Sequence, residues 1–208
     1  MKGLLTTEKM MTKKQYNGSI TDDELRKLPV LQFRGRVTLV DNMEKYRRVM
    51  AEIGRPSLLG FDTETRPSFK KGRSHRVALL QLADAENAWL FRLNMIGLPD
   101  ELAALLSDNQ IVKTGVAIRD DIKALRSLTH FEPQGFIDLQ SVVADHGIRE
   151  LGLKKLTAIV LGYSISKSQQ VSNWEAPALT EPQQLYAATD AWVCRSIYLA
   201  LNGKEIHQ

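Results

Sequence analysis

The chain of 208 residues is poor in cysteine, with Cys194 as its single example. One thiol excludes an intramolecular disulfide framework and any zinc site built from several thiolates. Long apolar runs are missing as well. Although 43% of the residues are hydrophobic, none of the runs approaches the roughly 18 residues of a spanning helix. The opening segment MKGLLTTEKMMTKKQYNG lacks the apolar centre of a secretory signal. Repeats and low-complexity tracts are absent, which argues against solenoids and linked modules. Charge of one sign is only mildly in excess: 28 Lys and Arg against 24 Asp and Glu leave +4. That balance permits a polyanionic partner without requiring one. These absences lead to the expectation of a globular, intracellular protein, cytoplasmic by default and with no membrane partner. The length suits one well-cored domain plus an extension.

What is present is a rhythm of short elements. Residues 1–18 are polar and unpatterned, so residues 1–30 are expected to form a partly mobile N-terminal extension, and 31–208 a single domain. Thr21 and Glu24 have capping-box spacing ahead of Leu25 and Leu28, predicting a short helix that Pro29 stops. A strand is expected over 31–40 and a helix over 42–53 closed by Gly54. Apolar runs at 57–62, 77–83 and 88–92 read as buried strands, the last two joined by the hairpin connection Asp84-Ala85-Glu86-Asn87. Helix and strand then alternate: helix 99–106, strand 110–114, helix 118–128, strand 135–137, and helices 138–146, 154–161 and 181–201. Helical crossovers imply parallel pairing. The expectation is therefore an α/β domain with a mixed sheet, antiparallel hairpin strands on one side and parallel strands on the other, flanked by helices.

Three groups of residues could carry chemistry. The spacing Asp-x-Glu occurs at Asp22/Glu24, Asp62/Glu64 and Asp84/Glu86, so it discriminates little by itself. The first pair falls in a helix first turn and the third at a hairpin tip, where acids are ordinary. Asp62 and Glu64 instead end a buried strand, where a carboxylate is costly without a partner. Period-two geometry puts both on one face with Thr63 pointing away, and two oxygen ligands there suit a hard divalent cation. Tyr186 and Asp190, four apart, share one face of the last helix among small residues; a half-buried tyrosine beside a surface aspartate would have the same spacing. Of Asp120 and Asp121, the phase shared with Leu125 turns Asp121 toward the core, although acids in a first turn also follow from the helix dipole.

Basic residues supply candidate substrate contacts. Lys70, Lys71, Arg73, His75 and Arg76 lie between the Asp62/Glu64 strand and the next, where they could meet phosphates or form an ordinary solvated loop. Lys167 could approach a phosphate. Trp174 could stack on a base or pack against the sheet. Lys154 and Lys155 read as solvated helix residues, and Cys194 as a small core residue two turns from the acidic face.

In order, Phe61-Asp62-Thr63-Glu64-Thr65, Gly115 through Asp121 with Leu125, and Leu185-Tyr186-Ala187-Ala188-Thr189-Asp190-Ala191 resemble the motifs of the DEDD superfamily of 3′–5′ exonucleases, tyrosine subclass. The sister subclass carries histidine five residues before the last acid, where this chain has Leu185. The stretch Ser172-Asn173-Trp174 looks most similar to the Werner-type branch, with ribonuclease D more distant. The resemblance implies a ribonuclease H-like fold and two divalent cations, Mg²⁺ or Mn²⁺, held by Asp62, Glu64, Asp121 and Asp190. It further implies that Tyr186 orients the attacking water, and that nucleoside monophosphates are removed from the 3′ end of a nucleic acid, DNA favoured over RNA. Trimming of RNA, a binding scaffold without turnover, and a phosphoesterase of small nucleotides are the alternatives to separate.

Overall fold

The computed structural model describes residues 14–68 and 75–204. Six strands and eight α-helices follow in the order α1 (Asp22–Lys27), β1 (Arg36–Val40), α2 (Met43–Ile53), β2 (Leu58–Thr65), β3 (Val77–Ala83), β4 (Asn87–Phe91), α3 (Leu93–Ile96), α4 (Asp100–Ser107), β5 (Val112–Gly115), α5 (Arg119–Arg126), β6 (Phe136–Asp138), α6 (Leu139–Val143), α7 (Leu153–Leu161) and α8 (Glu181–Leu201). The strands form one sheet in the order β1-β4-β3-β2-β5-β6. The meander β2-β3-β4 is antiparallel, and β1 on β4, β5 on β2 and β6 on β5 are parallel. The expected mixed sheet is present, with β1 added parallel at its far edge. Among the described residues, no helix is long and apolar enough to cross a membrane.

Alternation along the central strands decides which layer each side chain enters. Leu59 and Phe61 of β2 and Leu80 and Leu82 of β3 point into a core completed by Tyr46, Val49, Leu102, Leu106 and Leu125 from α2, α4 and α5. The opposite face carries Leu79, Ala83, Ala88 and Leu90 and is covered by α8 through Ala187, Ala188 and Ala191. Small residues on both sides let the helix lie close to the sheet. The approach is tightest at Gly60, where an added Cβ would stand 1.8 Å from the Ala191 carbonyl oxygen. A capping box fixes the start of α8: Thr180 Oγ1 accepts from Gln183 N–H, and the Gln183 side chain accepts from Thr180 N–H at 3.0 Å. Its later turns pack on α7 through Leu156, Val160, Ile197 and Leu201.

Several boundaries differ from expectation, each for a local reason. Residues 31–34 leave the sheet: Leu31 N–H donates to Ser164 O at 2.7 Å, and Phe33 N–H to the buried Thr189 Oγ1 at 3.1 Å. The helix expected over 138–146 tightens into a 3₁₀ turn at Ala144–His146 and stops at Gly147, whose φ of 75° suits glycine. The four-residue α3 is too short to show a period. The two ordinary Asp-x-Glu pairs behave as such. Glu24 completes a capping box with Thr21, and Asp84 Oδ1 accepts from Glu86 and Asn87 N–H at 2.8 and 2.7 Å in the hairpin.

Because backbone of α8 occupies the space a side chain at Gly60 would need, Gly60→Ala forces helix and strand apart. The expected cost is about 1–3 kcal/mol of unfolding free energy, read from urea denaturation. A curve superimposing on that of the parent would contradict the close contact.

Candidate active site

The carboxylates gather where β2 passes under α8. Gly60 faces α8, so Asp62 and Glu64, two and four residues on, face it too. Ala191 is the helix residue lying over Gly60, which sets its predecessor Asp190 beside the same strand end. Oxygens of Asp62, Glu64 and Asp190 all lie within 4.8 Å of one another. Two unit charges at that separation repel by about 3 kcal/mol at an effective dielectric near 20. Three such pairs approach the entire net stability of a domain, about 5–15 kcal/mol. The cluster must therefore take up protons or hold cations.

The electrostatics express that conflict. Burial, then the charges of Asp190 and Asp121, push the Glu64 carboxyl up to about 9. Burial raises Asp190 to about 7, while the Tyr186 hydroxyl and the Lys167 ammonium hold it down. Asp62 is half-buried by surface yet enclosed by protein; desolvation, then the charges of Asp190, Glu64 and Asp121, raise it well above the usual carboxylate range. Burial followed by the Asp190 and Glu64 charges raises the Tyr186 phenol, so at neutral pH it is a hydrogen-bond donor. An all-oxygen donor set of this kind fits hard divalent cations, which cancel the repulsion that burial magnifies.

Asp121 stands apart from the tight cluster. Thr63 does point to the opposite face of β2, and there its hydroxyl donates to the Asp121 carboxylate in a short contact. Asp121 is close enough for its charge to act on Asp62 and Glu64. Its helix, α5, is set by Asp138, which accepts from Ala117 N–H at 3.0 Å and Ile118 N–H at 3.2 Å. Ala117 takes a left-handed φ of 57° to make this turn.

A cleft of about 310 Å³ opens over the carboxylates, with Lys154, Lys167, Gln170, Tyr186 and Cys194 on its walls. Lys154, read from sequence as a solvated residue, lies on the wall of this cleft, and Cys194, four residues after Asp190, lies one helical turn beyond it rather than two. Trp174 requires a correction too. Its side chain is 0% exposed, in a cluster with Leu79, Leu90 and Ala187, so no face is available to a base and the packing alternative holds. Its ring supports Tyr186, with centroids 6.0 Å apart. Buried Arg92 anchors the same loop, donating to the Pro177 carbonyl at 3.1 Å and to that of Ala176. Arg76 and His75 line a separate groove with Leu93, Asn94 and Ser127. Lys70, Lys71 and Arg73 lie outside the described residues.

A profile of the 3′–5′ exonuclease family matches residues 37–205, and the chain belongs to that family. The mouse bifunctional 3′-5′ exonuclease/ATP-dependent helicase WRN is 31% identical over 195 residues, which cover 89% of this chain and 14% of the mouse protein. Ribonuclease D of Pseudomonas paraeruginosa is 32% identical over 127 residues, 61% of this chain and 34% of that enzyme. The chain therefore spans only a part of these curated relatives. Among solved structures, the Aedes aegypti Nibbler EXO domain superposes with a TM-score of 0.74 at 25% identity, covering 84% of this chain and 91% of that one. The expected ribonuclease H-like architecture is the one observed.

Stripped of cations by chelator, the protein should lose stability as pH rises. Glu64 titrates near its ordinary 4.5 when unfolded and near 9 when folded, so the folded state binds more protons across that interval and stability falls through it. Asp190, raised from 3.8 to about 7, acts in the same direction. Melting temperatures measured in chelator from pH 5 to 9 should fall less steeply for Glu64→Gln than for the parent. Parallel curves would contradict the assignment.

Proposed function

We propose that the chain is a divalent-cation-dependent 3′–5′ exonuclease releasing nucleoside monophosphates, with residues 31–208 as its exonuclease domain and 1–30 as an extension. The observation that carries this reading is the buried convergence of Asp62, Glu64 and Asp190 at the foot of an open, partly basic cleft. Asp62, Glu64 and Asp190 would hold two cations, Mg²⁺ or Mn²⁺, with Asp121 contributing from the Thr63 side. Cations bound there supply a nucleophile at neutral pH and neutralise charge on the phosphodiester.

The chain's own groups do the rest. Tyr186, protonated and braced by Trp174, orients the attacking water through its hydroxyl. Its raised pKa supports orientation over proton abstraction. Lys154 and Lys167 on the cleft wall attract backbone phosphates. Lys70, Lys71, Arg73 and Arg76, between the Asp62/Glu64 strand and the next in the sequence, would add contacts to substrate phosphates. Asp190 is kept more acidic by Lys167, which favours its ionised, ligating form.

DNA is the favoured substrate, supported by the Werner-type stretch Ser172-Asn173-Trp174 and by the 31% identity to the mouse WRN protein. Trimming of RNA is the second reading, favoured by the 32% identity to ribonuclease D. An intracellular, cytoplasmic place of action accords with the lone cysteine. A scaffold without turnover would retain the carboxylate repulsion with no compensating use.

Asp62→Ala should reduce Mg²⁺-dependent release of mononucleotides by about 10³-fold or more, since the cations' share of the barrier is several kcal/mol. Rates on matched DNA and RNA strands measure this and name the better polymer; activity of Asp62→Ala near the parent's would refute the site. Tyr186→Phe should lose about 10²-fold in turnover while binding Mn²⁺ with unchanged affinity by calorimetry, and parental turnover would remove its orienting role.

A further inference from the structure

Strand β3 is buried along its whole length, and Gln81 is its only polar residue. The Gln81 side chain is 0% exposed. Among the described residues, neither its amide nitrogen nor its amide oxygen has a hydrogen-bond partner. Its neighbours Leu80 and Leu82 enter the core beneath α2, α4 and α5. By alternation Gln81 therefore lies on the α8 face with Leu79 and Ala83. The β2–β3 register pairs Gln81 directly with Asp62, which faces α8 as well. Directly opposed residues of an antiparallel pair have Cβ atoms about 4.5–5.5 Å apart. The amide nitrogen of glutamine is three bonds beyond its Cβ, a reach that spans this gap. On this face α8 presents Ala187, Ala188 and Ala191, whose side chains offer neither donor nor acceptor, and Trp174 packs with Leu79 and Leu90 there with an indole N–H that can only donate. Glu64 on this face pairs with Leu79, so the Asp62 carboxylate, directly opposite Gln81, is the acceptor nearest in register to the buried amide.

We propose that Gln81 is a positioning residue for Asp62: when cations occupy the site, its amide N–H turns to donate to the Asp62 carboxylate and holds it in the orientation that binds them. The inference rests on the metal-dependent reading of the site. A carboxylate ligand with an outer hydrogen bond presents its free lone pairs in a fixed direction, and loss of such a bond typically costs about 10–100-fold in metal affinity. The amide of Gln81 would supply Asp62 with such a donor from the neighbouring strand. The same residue explains its own cost. A buried amide weakens the fold when no acceptor is engaged and is retained for the state in which one is.

The test uses the full chain. Gln81→Met keeps side-chain length and removes both donors. Calorimetric titration without nucleic acid should show Mn²⁺ binding weakened by about tenfold or more, with a melting temperature in chelator equal to or above the parent's. Parental Mn²⁺ affinity in Gln81→Met would overturn the inference. A second readout needs no variant: in a Mg²⁺ titration of the wild-type chain followed by NMR, the Gln81 side-chain NH₂ signals should move and become protected from exchange. Unmoved NH₂ signals, in a titration that shifts the backbone amides of Asp62 and Glu64, would overturn the Gln81 role alone. No shift of those backbone amides, with no heat of Mn²⁺ binding, would overturn the cation site and this inference with it.

Discussion

The contact between Gly60 and the backbone of α8 sets the distance on which the candidate site depends. A helix resting on a sheet ordinarily stands off by the depth of the side chains packed between the two layers. Here glycine on the strand and alanines on the helix remove that spacer, and Ala191 O occupies the place of a Cβ. Asp190 is then carried down to the level of Asp62 and Glu64, so that ligand oxygens from two different layers come within 4.8 Å. Larger residues along this seam would separate the acids and relieve their repulsion, at the expense of the constellation itself.

The polar groups around this seam follow the same logic of local cost for a defined geometry. Three carboxylates are drawn together against mutual repulsion, a left-handed Ala117 is held by Asp138 to launch α5, and Gln81 is buried with an open amide. Each weakens the fold when considered alone. The surrounding apolar packing, from Phe61 and Leu80 beneath to Ala188 and Leu90 above, holds them in place. Such local conflicts mark functional regions, where stability is exchanged for a prepared arrangement.

Much of this was legible in the residues. Period two placed Asp62 and Glu64 on one face, and helical spacing placed Tyr186 beside Asp190. The strand at 77–83 and the helix at 181–201 match the observed elements because their apolar patterns are long. Less legible were features that depend on packing between elements. The hydroxyl of Thr63 meets Asp121 from another element, and no local pattern encodes that meeting. Trp174 has an amphipathic side chain equally suited to a base or a core; only the anchoring of its loop by Arg92 shows it packed. Lys154 follows a glycine-capped helix start that resembles any solvated face until α7 is set against α8. Gln81 could be recognised as out of place in an apolar run, but its partner strand and register come from the folded sheet.

The most direct test of the account is where a cation binds. Anomalous diffraction from a crystal soaked in Mn²⁺ should show manganese bounded by oxygens of Asp62, Glu64 and Asp190. Manganese absent from that position while the three carboxylates keep their places would contradict the claim that the docking of α8 on β2 builds a cation centre.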